Sequence, residues 1–227
     1  MNHTNNPSPT LRVAGILSVA AAIVASAGDF FLIYVANAPK YGFGLTGEEA
    51  NRLLLVGHYC GVLAIPLFSL GYWHVSRGLS ASGKRISLSV LAIGVYTSAV
   101  GSAIHGLTAF GLHASPLTGA QSPTPLETLT PPSLVPFILP LWGFVGLAIL
   151  TGSALYAFAV FTRHTAYPRW GALLNPALLV VAGNALALLS PLLTDFLVVW
   201  MPNLAHILFF AFSTAALWYT DAIGGRS

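Results

Sequence analysis

Charge is what this chain has least of. Only 7% of its 227 residues are Asp, Glu, Lys or Arg, while 56% are hydrophobic; an ordinary soluble domain is roughly a quarter charged. So small a charged fraction cannot clothe a water-exposed surface, which excludes a soluble globular domain. Cysteine is nearly absent as well. Cys60 stands alone, so no intrachain disulfide forms and thiol usage says nothing about redox compartment. Nine Lys and Arg residues give a pI near 9.2, but they fall singly or in pairs. No basic stripe exists to track a phosphate backbone, and nucleic acid is not expected as a partner. The chain also lacks HExxH, HxxxH and HxH, the local spacings from which a metal site is read off one helix or strand.

What the chain has in quantity is long apolar runs, with a mean hydropathy of +0.77. Six stand out, at residues 11–35, 53–75, 86–110, 134–161, 170–189 and 202–219. Each is long enough to cross about 30 Å of hydrocarbon as a helix rising 1.5 Å per residue. The expected fold is therefore all-α: a polytopic membrane bundle of six transmembrane helices, with residues 1–227 forming one transmembrane domain. If the helices alternate, Arg12, Arg77, Lys84, Arg85, Arg163, Arg169 and Arg226 share one side, and only Lys40 and Arg52 lie opposite, offset by Glu48 and Glu49. Because cations resist translocation, both termini are expected in the cytoplasm, N-in and C-in, in a cell membrane of the bacterial cytoplasmic type.

The string VASAGDFFLIYVA, residues 24–36, raises a question about the first run. Ala25, Ser26 and Ala27 form the small-residue pattern cut by a signal peptidase, yet Asp29 follows and the apolar run resumes to spanning length. A leader stops near its cleavage site, so this stretch reads as a retained helix carrying a carboxylate at membrane depth. Between the runs, residues 111–133 hold five prolines and read as an extracytoplasmic loop without regular structure. Residues 190–202, apolar and bounded by prolines, read as a stretch lying in the interface.

Counted inward at 1.5 Å per residue, Asp29, His58, His105 and His206 all fall roughly 5 to 9 Å below the outer boundary, on four different helices. Ionisable residues in hydrocarbon are expensive and normally face a partner or water, so a shared pocket opening outward is expected. Helical spacing agrees: Ser98, Gly101, Ser102 and His105 share a face, as do Asn203, His206 and Ser213, and Ala21, Ala25 and Asp29. Three imidazoles and a carboxylate make a ligand set for zinc or another divalent metal, with His58, His105, His206 and Asp29 as ligands. Asp29 would otherwise serve as base to a metal-bound water, beside Ser102 as a second catalytic candidate. The reading is a metal-dependent membrane hydrolase or isomerase acting on a lipid or apolar small molecule.

Other readings stand beside it. A haem b between His58 and His206 suits histidines on membrane helices. A proton-coupled small-solute transporter would use Asp29 as its titrating group, although no inverted repeat is found. A non-catalytic membrane partner would use the same polar groups only to hold helices together. Tyr72, Trp73, His74 and Arg77 read as an interfacial belt. Asn175 and Asn184 read as lining or as helix glue, His113 and Glu127 as loop residues, and Asp195 as an outer metal ligand or a helix cap. Pro66, Pro140 and Pro191 read as helix breaks of the kind that border cavities.

The strings GD at 28–29, GHY at 57–59, YWH at 72–74, IHG at 104–106 and NLAH at 203–206 resemble a bacterial family of small, uncharacterised six-helix membrane proteins, a resemblance that implies no activity. In residue types alone the chain is similar to the membrane hydrolases that include alkaline ceramidases and the progestin and adipoQ receptors. These place three His, an Asp and a Ser around zinc within seven helices. Ser102, His105, Asp29, His58 and His206 supply those types here, but in a different order, without the paired HxxxH and with one helix fewer.

Overall fold

The computed structural model describes residues 8–114 and 134–224, with side chains described for 8–112 and 134–218. Among the described residues the structure is all-helical. Helix α1, Pro9–Tyr41, opens with Ser8 accepting from the Leu11 amide and Pro9 in the first turn, and closes on Gly42 at φ 67°, the left-handed cap that glycine adopts without strain. Helix α2, Gly47–Ala64, starts from a reciprocal cap between Thr46 and Glu49. Pro66 then converts one turn, Ile65–Leu67, to 3-10 form before α3, Phe68–Gly78. Helix α4 is Lys84–Ala114 and α5 is Val135–Thr162. A 3-10 turn at Arg169–Leu173 leads to α6, Pro176–Ala187, and the last helix, α7, is Pro191–Gly224.

Five of these elements are long and apolar enough to cross a membrane: α1, the broken pair α2–α3, α4, α5 and α7; α6 is a shorter apolar helix. Three expected boundaries shift. The fifth run divides, because Asn175 caps a new helix and Pro176 occupies its first turn. Residues 191–202 are the first turns of α7 rather than a separate interfacial stretch, with Pro202 inside the helix. Residues 111–114 extend α4; the rest of the proline-rich segment, Glu127 included, and the side chain of His113 lie outside the described residues.

Helix α1 packs along both α2 and α7. Its buried face is small, with Ala14, Ser18, Ala21, Ala22, Ala25 and Gly28, and small residues let helix backbones approach when lipid supplies no hydrophobic drive to associate. Helix α4 packs on α2, α3 and α5, while α6 lies against α7. The α5–α7 interval is bridged by side chains: Tyr156 meets Phe209 edge-on at 5.1 Å. Leu147 and Leu150 on α5, 62% and 60% exposed, face outward, as lipid-facing residues should. At one end of the bundle Lys40 pairs with Asp195, which also accepts from Tyr41 Oη at 2.5 Å. That contact ties the C-terminus of α1 to the N-terminus of α7 and gives Asp195 a structural partner.

Candidate functional site

The site begins with a close approach of backbones. A Cβ on Gly28 of α1 would lie 2.8 Å from the Gly57 carbonyl of α2, and one on Gly57 would lie 2.9 Å from the Gly28 carbonyl. Neither position tolerates a side chain without movement. One turn along α2, Gly61 leaves the space that the His105 ring occupies, since a Cβ there would come within 2.1 Å of Nε2. His105 is thus laid flat against α2, with Asp29 of α1 within reach.

Each polar atom then finds a partner. His105 Nε2 lies 2.9 Å from Gly57 O, and Nδ1 lies 3.1 Å from Asp29 Oδ1. Asn203 of α7 donates through Nδ2 to Asp29 Oδ2 at 2.6 Å. A carbonyl only accepts, so Nε2 carries a hydrogen. The remaining contact therefore joins either an imidazolium to a carboxylate or a neutral imidazole to a carboxylic acid. Both forms have zero net charge, which is how hydrocarbon tolerates the pair. His206 is fixed by the same logic: Nδ1 donates to Pro202 O at 2.6 Å, so Nε2 accepts from Tyr72 Oη at 2.8 Å.

Asp29, His105, Asn203 and His206 border one cavity of about 80 Å³, several times the 10–15 Å³ that a single water requires. The rest of its wall is chiefly apolar: Ile65 and Phe68 at the α2–α3 break, Val145 and Ile149 on α5, and Val199 on α7. The cavity occupies the interval where α5 and α7 part. Of the three prolines expected at helix breaks, Pro66 does interrupt the α2–α3 span, beside the cavity-lining Ile65 and Phe68, whereas Pro140 lies within an unbroken α5 and Pro191 begins α7; the proline that lines the cavity is Pro202.

Two expected members of the site are elsewhere. His58 is one residue beyond Gly57, hence turned about 100° around α2. Its ring lies near Gly106 of α4 and against Tyr59, and its Nδ1 is buried without a partner. Ser102 donates to Val62 O at 3.3 Å. Pro66 has no N–H and so leaves Val62 O without its helical donor; Ser102 replaces that donor. The expected set of three imidazoles and a carboxylate is thus not assembled: among the described residues no group of three or more His, Cys, Asp or Glu side chains is placed to hold a metal ion. Both nitrogens of His105 and of His206 are engaged by hydrogen bonds instead. Ser102→Ala should cost about 0.6 kcal/mol, the average for one interhelical hydrogen bond in a membrane protein, and should leave any function of the cavity intact. Equilibrium unfolding of the variant measures that loss.

Further corrections concern the other polar residues. Tyr72 and His74 are buried rather than interfacial, at 5% and 1% exposure, because α3 leans on α4 and α7. His74 Nδ1 meets Ser213 Oγ at 2.9 Å, and Tyr167 Oη meets the same hydroxyl at 2.7 Å. Asn175 is a cap, accepting from the Leu178 amide and donating to Ala172 O. Sequence reasoning placed Asn203 on the right face without foreseeing that it would hold Asp29. The useful signal was its three-residue spacing from His206.

A family model described as a family of unknown function, DUF6796, matches residues 1–220. The chain belongs to this family. DUF6796 agrees with the resemblance drawn from the short GD, GHY, YWH, IHG and NLAH strings, and its description brings no activity to the cavity. Beyond DUF6796, no curated protein and no solved structure matches the chain.

Proposed function

We propose that this protein is a multi-pass component of a bacterial cytoplasmic membrane, oriented with its Arg77, Lys84 and Arg85 end inside, that binds a lipid or apolar small molecule in the cavity beside Asp29 and His105. The observation that carries the reading is one polar wall, made by Asp29, His105, Asn203 and His206, facing a cavity whose remaining lining is chiefly apolar. Small-molecule sites have this composition: mostly hydrophobic lining with a few convergent polar groups that fix orientation. A bundle built only for stability gains nothing from leaving such a space unfilled, because an empty volume forfeits packing contacts. The excess of cations at the Arg77, Lys84 and Arg85 end supports the orientation.

The reading requires neither a metal nor turnover, and places the ligand head at the polar wall with its chain against Ile65, Phe68, Val145 and Ile149. Photoactivatable alkyl probes test it on the full chain in lipid nanodiscs, with the labelled residues located by mass spectrometry. Labelling is expected at Val145 and Ile149 and should disappear in Gly101→Leu. A Cβ on Gly101 meets only Ile65 Cγ2, at 3.5 Å, so the larger side chain enters the cavity rather than a neighbouring backbone. Labelling confined to outward residues such as Leu147 and Leu150, or unaffected by Gly101→Leu, would overturn the reading.

A further inference from the structure

We propose that the ligand's head is a neutral hydrogen-bond donor, a long-chain alcohol in its simplest form, and that the cavity discriminates against a carboxylate head. The inference rests on the cavity reading above and follows from where the hydrogens at its wall are already committed. Thr97 Oγ1 donates to Ile93 O at 2.9 Å, and Ser98 Oγ donates to Gly94 O at 2.8 Å. A hydroxyl has one hydrogen and two lone pairs, so each residue has only acceptor capacity left. Asp29 accepts once at Oδ2, from Asn203, and its Oδ1 faces His105; an oxygen of a carboxyl group has room for a further donor. His105 and His206 have both ring nitrogens engaged, so neither imidazole has a hydrogen to offer.

Lone pairs therefore outnumber hydrogens along the wall from α1, α4 and α7. The second amide hydrogen of Asn203, the indole N–H of Trp142 and the Thr108 hydroxyl are the donors that remain among the lining residues. A carboxylate head would need several donors at once and would sit beside Asp29. An ammonium head would supply hydrogens but bring an unmatched charge, because the Asp29–His105 pair is already neutral as a unit. A hydroxyl head donates one hydrogen and can accept one from Asn203 or Trp142, which matches the wall.

Three probes sharing one diazirine-bearing alkyl chain, and ending in hydroxyl, carboxylate or plain hydrocarbon, decide the matter in nanodiscs holding the full chain. The alcohol is expected to label Val145 and Ile149 about fivefold more than the hydrocarbon, the factor that one net hydrogen bond gives, with the carboxylate lowest. Ser98→Ala should reduce that preference while leaving hydrocarbon labelling unchanged. This substitution removes only a side-chain bond to a carbonyl within the same helix, so the fold is retained. Equal labelling by alcohol and hydrocarbon, or stronger labelling by the carboxylate, would overturn the donor-head inference and leave the cavity reading intact. Failure of all three probes to reach the cavity would overturn both.

Discussion

His105→Ala is expected to lower the unfolding free energy of the protein in detergent or bicelles by about 3 kcal/mol, the lower end of the range for removing one partner of a buried ion pair. An ordinary interhelical hydrogen bond in a membrane protein contributes far less, about 0.6 kcal/mol on average. The larger figure applies because the substitution strips Asp29 Oδ1 of its partner and leaves a carboxyl group in an apolar interior. Asp29→Asn should behave quite differently. An amide at position 29 accepts from Asn203 through its oxygen and donates to His105 Nδ1 through its nitrogen, while Nε2 still donates to Gly57 O. Every bond survives, and the loss should stay below about 1 kcal/mol. The Asp29→Ala/His105→Ala double variant should fall short of the sum of its single losses, because neither member of the pair is left facing a missing partner and only Asn203 loses its acceptor. Equal destabilisation by His105→Ala and Asp29→Asn would show that the pair contributes nothing specific.

The same residues show what depth along a helix does and does not reveal. Counting residues from the membrane boundary brought Asp29 and His105 to one level, and they do meet, because a carboxylate and an imidazole in hydrocarbon gain most from each other. Depth fixes height but leaves azimuth open. His58 has the right height, yet the face that α2 turns toward α1 is set by Gly57 against Gly28 and by Gly61 under the His105 ring, which turns His58 toward Gly106. The string GHYCG contained that information in its two glycines four residues apart, whereas the histidine between them drew the chemical reading. Ser102 failed for a related reason. The stripe Ser98, Gly101, Ser102 and His105 is wider than one contact: Ser98, Gly101 and His105 border the cavity, and Ser102 lies at the α2 edge, where the carbonyl freed by Pro66 captures it. Tyr72 and His74 were misread through their neighbour Arg77. That arginine is exposed, while contacts made by α3 bury the two aromatic rings before it.

Gly61→Ala carries the second large effect, although it adds a single methyl group. Its Cβ would lie 2.1, 2.2 and 2.3 Å from three atoms of the His105 ring, distances at which something must move. The ring cannot turn aside cheaply, since one nitrogen is held to Gly57 O and the other to Asp29; movement breaks both contacts and carries α4 away from α2. The expected loss is about 3 kcal/mol, the upper end of the range for overpacking. The gain in helix propensity from Gly to Ala, about 1 kcal/mol, is too small to offset it. Gly101→Ala is the matched control, because its Cβ meets a neighbour at an ordinary 3.5 Å and the propensity gain should make it neutral or slightly stabilising. The decisive comparison puts Gly61→Ala in the His105→Ala background. With the ring absent the methyl group enters vacated space, so the second substitution should add no loss. If Gly61→Ala destabilised the two backgrounds equally, the cost would lie elsewhere along α2, and the account of how α2 lays His105 against Asp29 would fail.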